Sequence, residues 1–232
     1  MASNSEHWHR RLLEGNGTAM AIWSFVAIAI GSVIEIVPML MVDYEPEQVE
    51  GINPYTPLEV AGRDIYIREG CYLCHSQWVR PFRSETLRYG PWSRAGEYVY
   101  DRPFQLGSRR IGPDLHRVGG KYNDAWHYEH MLDPRATSPG SIMPSYAWLA
   151  DWKWTTDDVA ASVSTLAKLG HPYAEDILAD PGADAMRQAQ EVTERLAESN
   201  ITVDPDREIV AMIAYLQRLG VDGRNSIAKE PR

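Results

Sequence analysis

Cysteine and phenylalanine are scarce in this chain of 232 residues, at two and three respectively. Two thiols cannot supply the disulfide framework of a small secreted domain. A zinc site built on them would need two further ligands, and there is no third cysteine. Basic charge is also in deficit: 23 Lys and Arg stand against 32 Asp and Glu, for a net charge of −9. With a sequence pI near 5.3, that balance argues against nucleic acid as a partner. No internal repeat stands out, and no strand–helix–strand pattern surrounds residues 60–80. Trp (8) and Tyr (12) are plentiful by contrast, which suits a surface where rings meet lipid headgroups, a cofactor or a partner. The length allows one ordinary domain plus appendages.

Both cysteines fall in one stretch, Cys71-Tyr72-Leu73-Cys74-His75. The pattern C-x-x-C-H is that of c-type haem attachment. Each thiol can form a thioether to one vinyl group of a porphyrin, and the histidine that follows lies under the iron as its proximal ligand. A thioredoxin-like dithiol is the rival reading of C-x-x-C. It requires the βαβ setting that is missing here, and it predicts free thiols and a colourless protein.

The chain divides by composition. Residues 1–17 are polar, with Arg10 and Arg11 beside His7 and His9, and read as a cytoplasmic stub. From Thr18 to Val42 only one residue is ionisable, and 25 residues of helix span about 37 Å, enough to cross a bilayer with some tilt. A cleavable signal peptide would carry a shorter apolar run and a small-x-small site, which Pro38-Met39-Leu40 does not offer. Arg10 and Arg11 precede the span and Asp43, Glu45, Glu47 and Glu50 follow it, so the N-terminus is expected in the cytoplasm and the rest outside. Covalent haem attachment is expected on that outer side. Ala21, Ser24, Ala27, Gly31 and Glu35 share one stripe of the helix. Small residues at that spacing let another helix approach, and an acid in hydrocarbon calls for protein or a wet cavity. The expectation is lateral docking on a larger membrane subunit through Gly31 and Glu35.

Residues 43–57 read as a linker, and a helix is expected from Pro57 or Leu58 to about Glu69, ended by Gly70. Residues 76–110 hold seven arginines (Arg80, Arg83, Arg88, Arg94, Arg102, Arg109, Arg110) against three acids. Their expected targets are haem propionates or an anionic face of a partner, because guanidinium pairs bidentately with carboxylate. The turn containing Gly112-Pro113-Asp114-Leu115 and Gly119-Gly120 suits chain wrapped closely around a flat cofactor. Helices are expected at 123–133, from Thr155 or Thr156 to Leu169, at 181–199 and at about 205–219, the last burying Ile209, Met212, Ile213 and Leu216. Residues 221–232 read as a flexible tail. Residues 151–208 carry 13 acids and 5 bases, which could steer a basic partner or keep the surface soluble.

A second iron ligand must come from eight methionines or seven histidines. Met143 stands out, because it sits in a Pro/Gly-rich loop and is followed by Pro144. A loop sulfur can reach the face opposite His75 without breaking a helix, and a thioether raises the potential. His116 or His130 in a bis-histidine arrangement is the alternative. A six-coordinate iron has no open site, so it passes electrons rather than binding oxygen.

With these residues in place, the chain resembles a class I cytochrome c domain. The matching parts are Gly62 and Tyr66 before the C-x-x-C-H motif, Gly112-Pro113-Asp114-Leu115, Met143-Pro144, and Tyr215-Leu216. More narrowly, the strings YDRPFQLGSRRIGPDL, RVGGKY, DPR and SIMPSY are similar to the mono-haem subunit of cbb(3)-type cytochrome c oxidases. The resemblance implies an all-α fold: a cytochrome c domain with loop insertions over residues 58–220, preceded by one transmembrane helix. It implies that Gly62, Tyr66 and Tyr215 meet where the first and last helices of the domain cross. It further implies one covalent haem c on Cys71 and Cys74, with His75 and Met143 on the iron. Its expected setting is the periplasmic face of a bacterial inner membrane. The expected partners are a haem-copper catalytic subunit, a companion di-haem cytochrome c subunit and the bilayer, with Arg109 and Arg110 as candidate contacts. The cytochrome subunit of a nitric oxide reductase and a tethered electron shuttle remain as alternatives.

Overall fold

The computed structural model describes residues 9–10, 14–41 and 49–229. Arg11, Asp43, Glu45 and Glu47, on which the orientation expectation rests, lie outside them, as do most of the stub, part of the linker and residues 230–232. The chain divides into two compact units, Met1–Pro46 and Glu47–Arg232.

Helix α1 (Gly17–Met41) belongs to the first unit. Its first free amides are capped by Asn16 Oδ1, which accepts from Thr18 N at 3.1 Å and Ala19 N at 3.2 Å. The helix is long and apolar enough to cross a membrane, and none of its residues is buried within its own unit.

The second unit is all-helical among the described residues, apart from one isolated bridge between Lys153 and Arg207. Helix α2 (Pro57–Arg68) starts with proline in its first turn, where no amide is missed, and with the Glu59 carboxylate accepting from Thr56 N–H at 2.8 Å. Gly70, at φ +68°, ends it. The last long helix, α9 (Glu208–Arg218), crosses α2 at Gly62. A Cβ at Gly62 would overlap the Ala211 carbonyl and come within 2.7 Å of Tyr215 Cβ, so only glycine permits this approach. Tyr66 and Tyr215 pack beside the crossing with ring centroids 5.4 Å apart, as the resemblance implies.

Helix α4 (Asp124–Leu132) packs on α9, followed by the short α5 (Pro134–Thr137). Helices α6 (Thr156–Lys168) and α8 (Pro181–Ala197) pack on α2 and on each other, with α7 (Glu175–Ala179) between them in sequence. Thr155 Oγ1 and Asp180 Oδ1 cap α6 and α8 by accepting from Asp158 N and Ala183 N. On α8 the buried residues Ala185, Ala189, Val192 and Leu196 recur every three or four positions.

Three features depart from the sequence reading. Helix α9 buries Val210 and Ala211 as well as its expected face, because α2, α4 and α8 enclose it from several sides. Residues 221–229 form helix α10 (Val221–Lys229) rather than a frayed tail. Tertiary anchors hold it: Asp222 pairs with Arg218 at 2.5 Å and accepts from Asn53 N at 2.9 Å, while Arg224 donates to the Gly119 carbonyl. The arginine-rich stretch is structured too, with helix α3 (Arg83–Tyr89) and a 3₁₀ turn at Ala95–Tyr98. It is fastened to α2 by the buried Arg63–Asp101 pair at 2.8 Å, and closed on itself by Tyr98 Oη donating to Gln77 O at 2.7 Å.

Candidate functional site

Gly70 turns the chain out of α2 into the 3₁₀ turn Cys71–Leu73. There His75 N donates to Cys71 O at 2.9 Å and Cys74 N to the same oxygen at 3.1 Å. Both half-buried cysteines and the histidine therefore line one cavity of about 490 Å³. Burial, then the neighbouring Glu69 charge, push the Cys71 thiol up to about 12. A redox dithiol needs the opposite, a lowered pKa that exposes thiolate at neutral pH.

The His75 ring is fixed by one bond: Nδ1 lies 2.7 Å from the Pro113 carbonyl. A carbonyl oxygen can only accept, so Nδ1 carries the proton and Nε2 keeps a free lone pair. Burial also lowers the pKa of His75, partly offset by that same bond. Gly112 packs flat against the ring, and a Cβ there would collide with the imidazole. Gly112 N donates to Cys74 O at 3.0 Å, tying this loop to the motif.

Met143 and Pro144 line the same cavity from the loop after α5. That loop is pinned by Tyr146 N donating to Met131 O at 2.8 Å and Ser145 Oγ donating to Leu132 O at 2.6 Å. Tyr122, Trp126 and His130 form a stack along the wall, with centroids 3.9 and 4.5 Å apart. The remaining walls include Tyr66, Leu115, Val118, Met131, Met212 and Leu216. His127, 2% exposed, also lines the cavity, and its Nε2 has no hydrogen-bond partner in the protein. A mostly apolar cavity of this size, with an imidazole lone pair, a thioether, two thiols and an orphaned buried nitrogen, fits a haem.

The other candidate residues lie elsewhere. His116 is away from the cavity; its Nε2 meets Glu97 at 3.1 Å and its ring packs on Tyr98 at 4.8 Å. His130 is on the cavity, with Nδ1 held by Thr137 Oγ1 at 2.6 Å. None of the seven arginines of 76–110 lines the cavity. Arg110 pairs with Glu85 at 2.8 Å, and Arg109 is exposed with no partner among the described residues. The arginine that does line it is Arg117, from the glycine turn, which is buried against Glu97 and the carbonyls of Pro91 and Trp92. In the string RVGGKY it stands beside a glycine pair that suits a tight turn, and nothing in that string signals a buried pair. Gly31 and Glu35 lie on α1, in the other unit.

A family model described as "Cytochrome C oxidase, mono-heme subunit/FixO" matches residues 9–222. No curated protein matches the chain.

Proposed function

Because the chain belongs to the family of cytochrome c oxidase mono-haem subunits described as FixO, we propose that it is the membrane-anchored relay that delivers electrons to the haem-copper subunit of a cbb(3)-type oxidase. The observation that carries this reading is that two features line one largely apolar cavity. His75 brings a proton-free Nε2 on a ring held by Pro113, and Met143 brings a thioether on a pinned loop. Cys71 and Cys74 would hold one haem c covalently, and His75 and Met143 would be its axial ligands.

Bound haem supplies one-electron chemistry, and its imidazole and thioether set its potential. The protein's own residues do the rest. Pro113 fixes the His75 tautomer, Gly112 leaves the ring its space, and the hydrogen bonds of Ser145 and Tyr146 hold Met143 in register. A haem seated on these apolar walls would displace water from them, which favours electron transfer over ligand exchange.

In this reading residues 1–17 are cytoplasmic, 18–42 span the inner membrane, 43–57 link, and 58–220 form the periplasmic cytochrome domain. Electrons arrive through a companion di-haem subunit. Haem staining after denaturing electrophoresis, together with copurification from mildly solubilised membranes, tests this. The expected result is a stained band of about this chain's 26.3 kDa mass travelling with an oxygen-reducing core. A colourless band, or copurification with a nitric-oxide-reducing core, would overturn it.

A further inference from the structure

Gly112 and Pro113 also form part of a second concavity, an open groove of about 410 Å³ with Arg88, Tyr89, Arg110 and Ile111 on its walls. Two guanidiniums lie on one ring there, Arg88 at 5.2 Å and Arg110 at 5.4 Å from the Tyr89 centroid. Cations held that close repel one another unless carboxylates intervene. The groove supplies one, Glu85, already engaged by Arg110 at 2.8 Å and by the Arg80 backbone N–H at 2.8 Å. Asp114 lies 3.7 Å from Arg110, and its oxygens already accept from Ser76 Oγ, Trp78 N and His116 N. Arg88 has no carboxylate partner among the described residues, and Arg110 Nε is buried without a hydrogen-bond partner.

The surroundings carry the same sign. Residues 76–110 have seven arginines against three acids, a net of +4, so the rest of this −9 chain carries −13. Two large apolar side chains stand exposed at α3, Phe82 at 60% and Leu87 at 77%. Arginine and aromatic residues together with exposed apolar side chains are the composition of protein docking sites. A concave seat with guanidiniums set on a ring suits a protruding carboxylate better than a flat layer of headgroups, since the fork of each guanidinium matches a carboxylate.

We propose that this groove is the landing site for a carboxylate-bearing segment of the partner subunit that exchanges electrons with the haem. It rests on the function proposed above. Docking there brings the partner against Pro113, whose carbonyl accepts the 2.7 Å hydrogen bond from the His75 ring. The partner then sits one hydrogen bond away from the proximal ligand.

The test uses the oxidase complex purified in mild detergent, with p-benzoylphenylalanine placed at Leu87 of the full chain. Photolysis is expected to join Leu87 to an Asp- or Glu-rich segment of another subunit. Adding Arg88→Glu should reduce that adduct at least about threefold, with an unchanged haem stain and optical spectrum, while Lys168→Glu on α6 leaves it intact. Adducts confined to lipid, to a second copy of this chain or to a segment without carboxylates would overturn the proposal. So would no adduct, or an adduct indifferent to the charge reversal at Arg88. Loss of haem stain, or absence of other oxidase subunits from the wild-type preparation, would instead overturn the functional reading, and this proposal with it.

Discussion

Glu97 and Arg117 form a bidentate ion pair in which each side chain is only 2% exposed. His116 adds a third contact at 3.1 Å, and α10 closes the site, for a Cβ at Gly223 would run into Glu97 and Arg117. The pair joins the arginine-rich insertion to the turn that lines the 490 Å³ cavity. Removing one partner strands a buried charge, whereas a surface pair would be nearly neutral. Arg117→Met is expected to cost about 3–5 kcal/mol in denaturant unfolding.

The same pair sets an acid limb. Burial pushes the Glu97 carboxyl up, but the donors of His116 and Arg117 more than offset this and hold it at about 2, against an ordinary 4.5. A folded-state pKa below the unfolded one stabilises the protein at pH above the unfolded value. That stability is lost as pH falls from about 4.5 through about 2. Its size is about 3 kcal/mol. Unfolding free energies measured across that range are expected to show a shallower acid limb for Glu97→Gln than for wild type.

Gly62→Ala tests the crossing of α2 and α9. Alanine is the better helix former by about 1 kcal/mol. Here its methyl would sit on the Ala211 carbonyl, which belongs to a helix buried nearly all round and cannot retreat. Overpacking against backbone costs about 3 kcal/mol or more, so net destabilisation is expected despite the propensity gain. A lowered unfolding midpoint would show it.

The parts of this molecule that were legible beforehand are those dictated by neighbours in sequence. The haem motif is contiguous because one short turn must present two thiols and an imidazole. Helix α2 announces itself through Pro57 at its start and Gly70 after its end, and α6 through Thr155. Gly62, Tyr66 and Tyr215 were reached through the family resemblance, since residues some 150 apart leave no local signal of contact. Arg117 and α10 were missed for that same reason. Glu97 lies 20 positions from Arg117, and α10 is held by Asn53 and Gly119, remote partners that no periodicity reveals.

Gly112→Ala probes the proximal side. The added methyl would press on the His75 ring and strain the bond from Nδ1 to Pro113. In the proposed function this tilts the axial ligand without removing it. The expected result is a haem that still stains, with an altered optical spectrum and a shifted potential, measured by redox titration.

Met143→Ala probes the distal side. In the proposed function, loss of the thioether would open one coordination position and remove a ligand that favours ferrous iron. The variant is expected to show a lower potential and to bind carbon monoxide or cyanide, which the wild type excludes. Covalent attachment through Cys71 and Cys74 would be retained, so a stained band with unchanged intensity is the internal control.

The anchor makes the last prediction. Nothing lies within 4 Å of a Cβ built at Gly31, and Glu35 sits four residues on, one turn along the same helix face. A simple tether in hydrocarbon would gain from leucine at both positions, because a carboxylic acid is costly in a bilayer and glycine is a poor helix former. A docking helix would lose, because leucine fills the space a neighbouring helix needs and deletes the polar contact. The double variant Gly31→Leu, Glu35→Leu is therefore expected to leave the membranes in full amount yet part from the other subunits in mild detergent. Subunit recovery equal to wild type would reduce α1 to an anchor, and assembly would then depend on the haem domain alone.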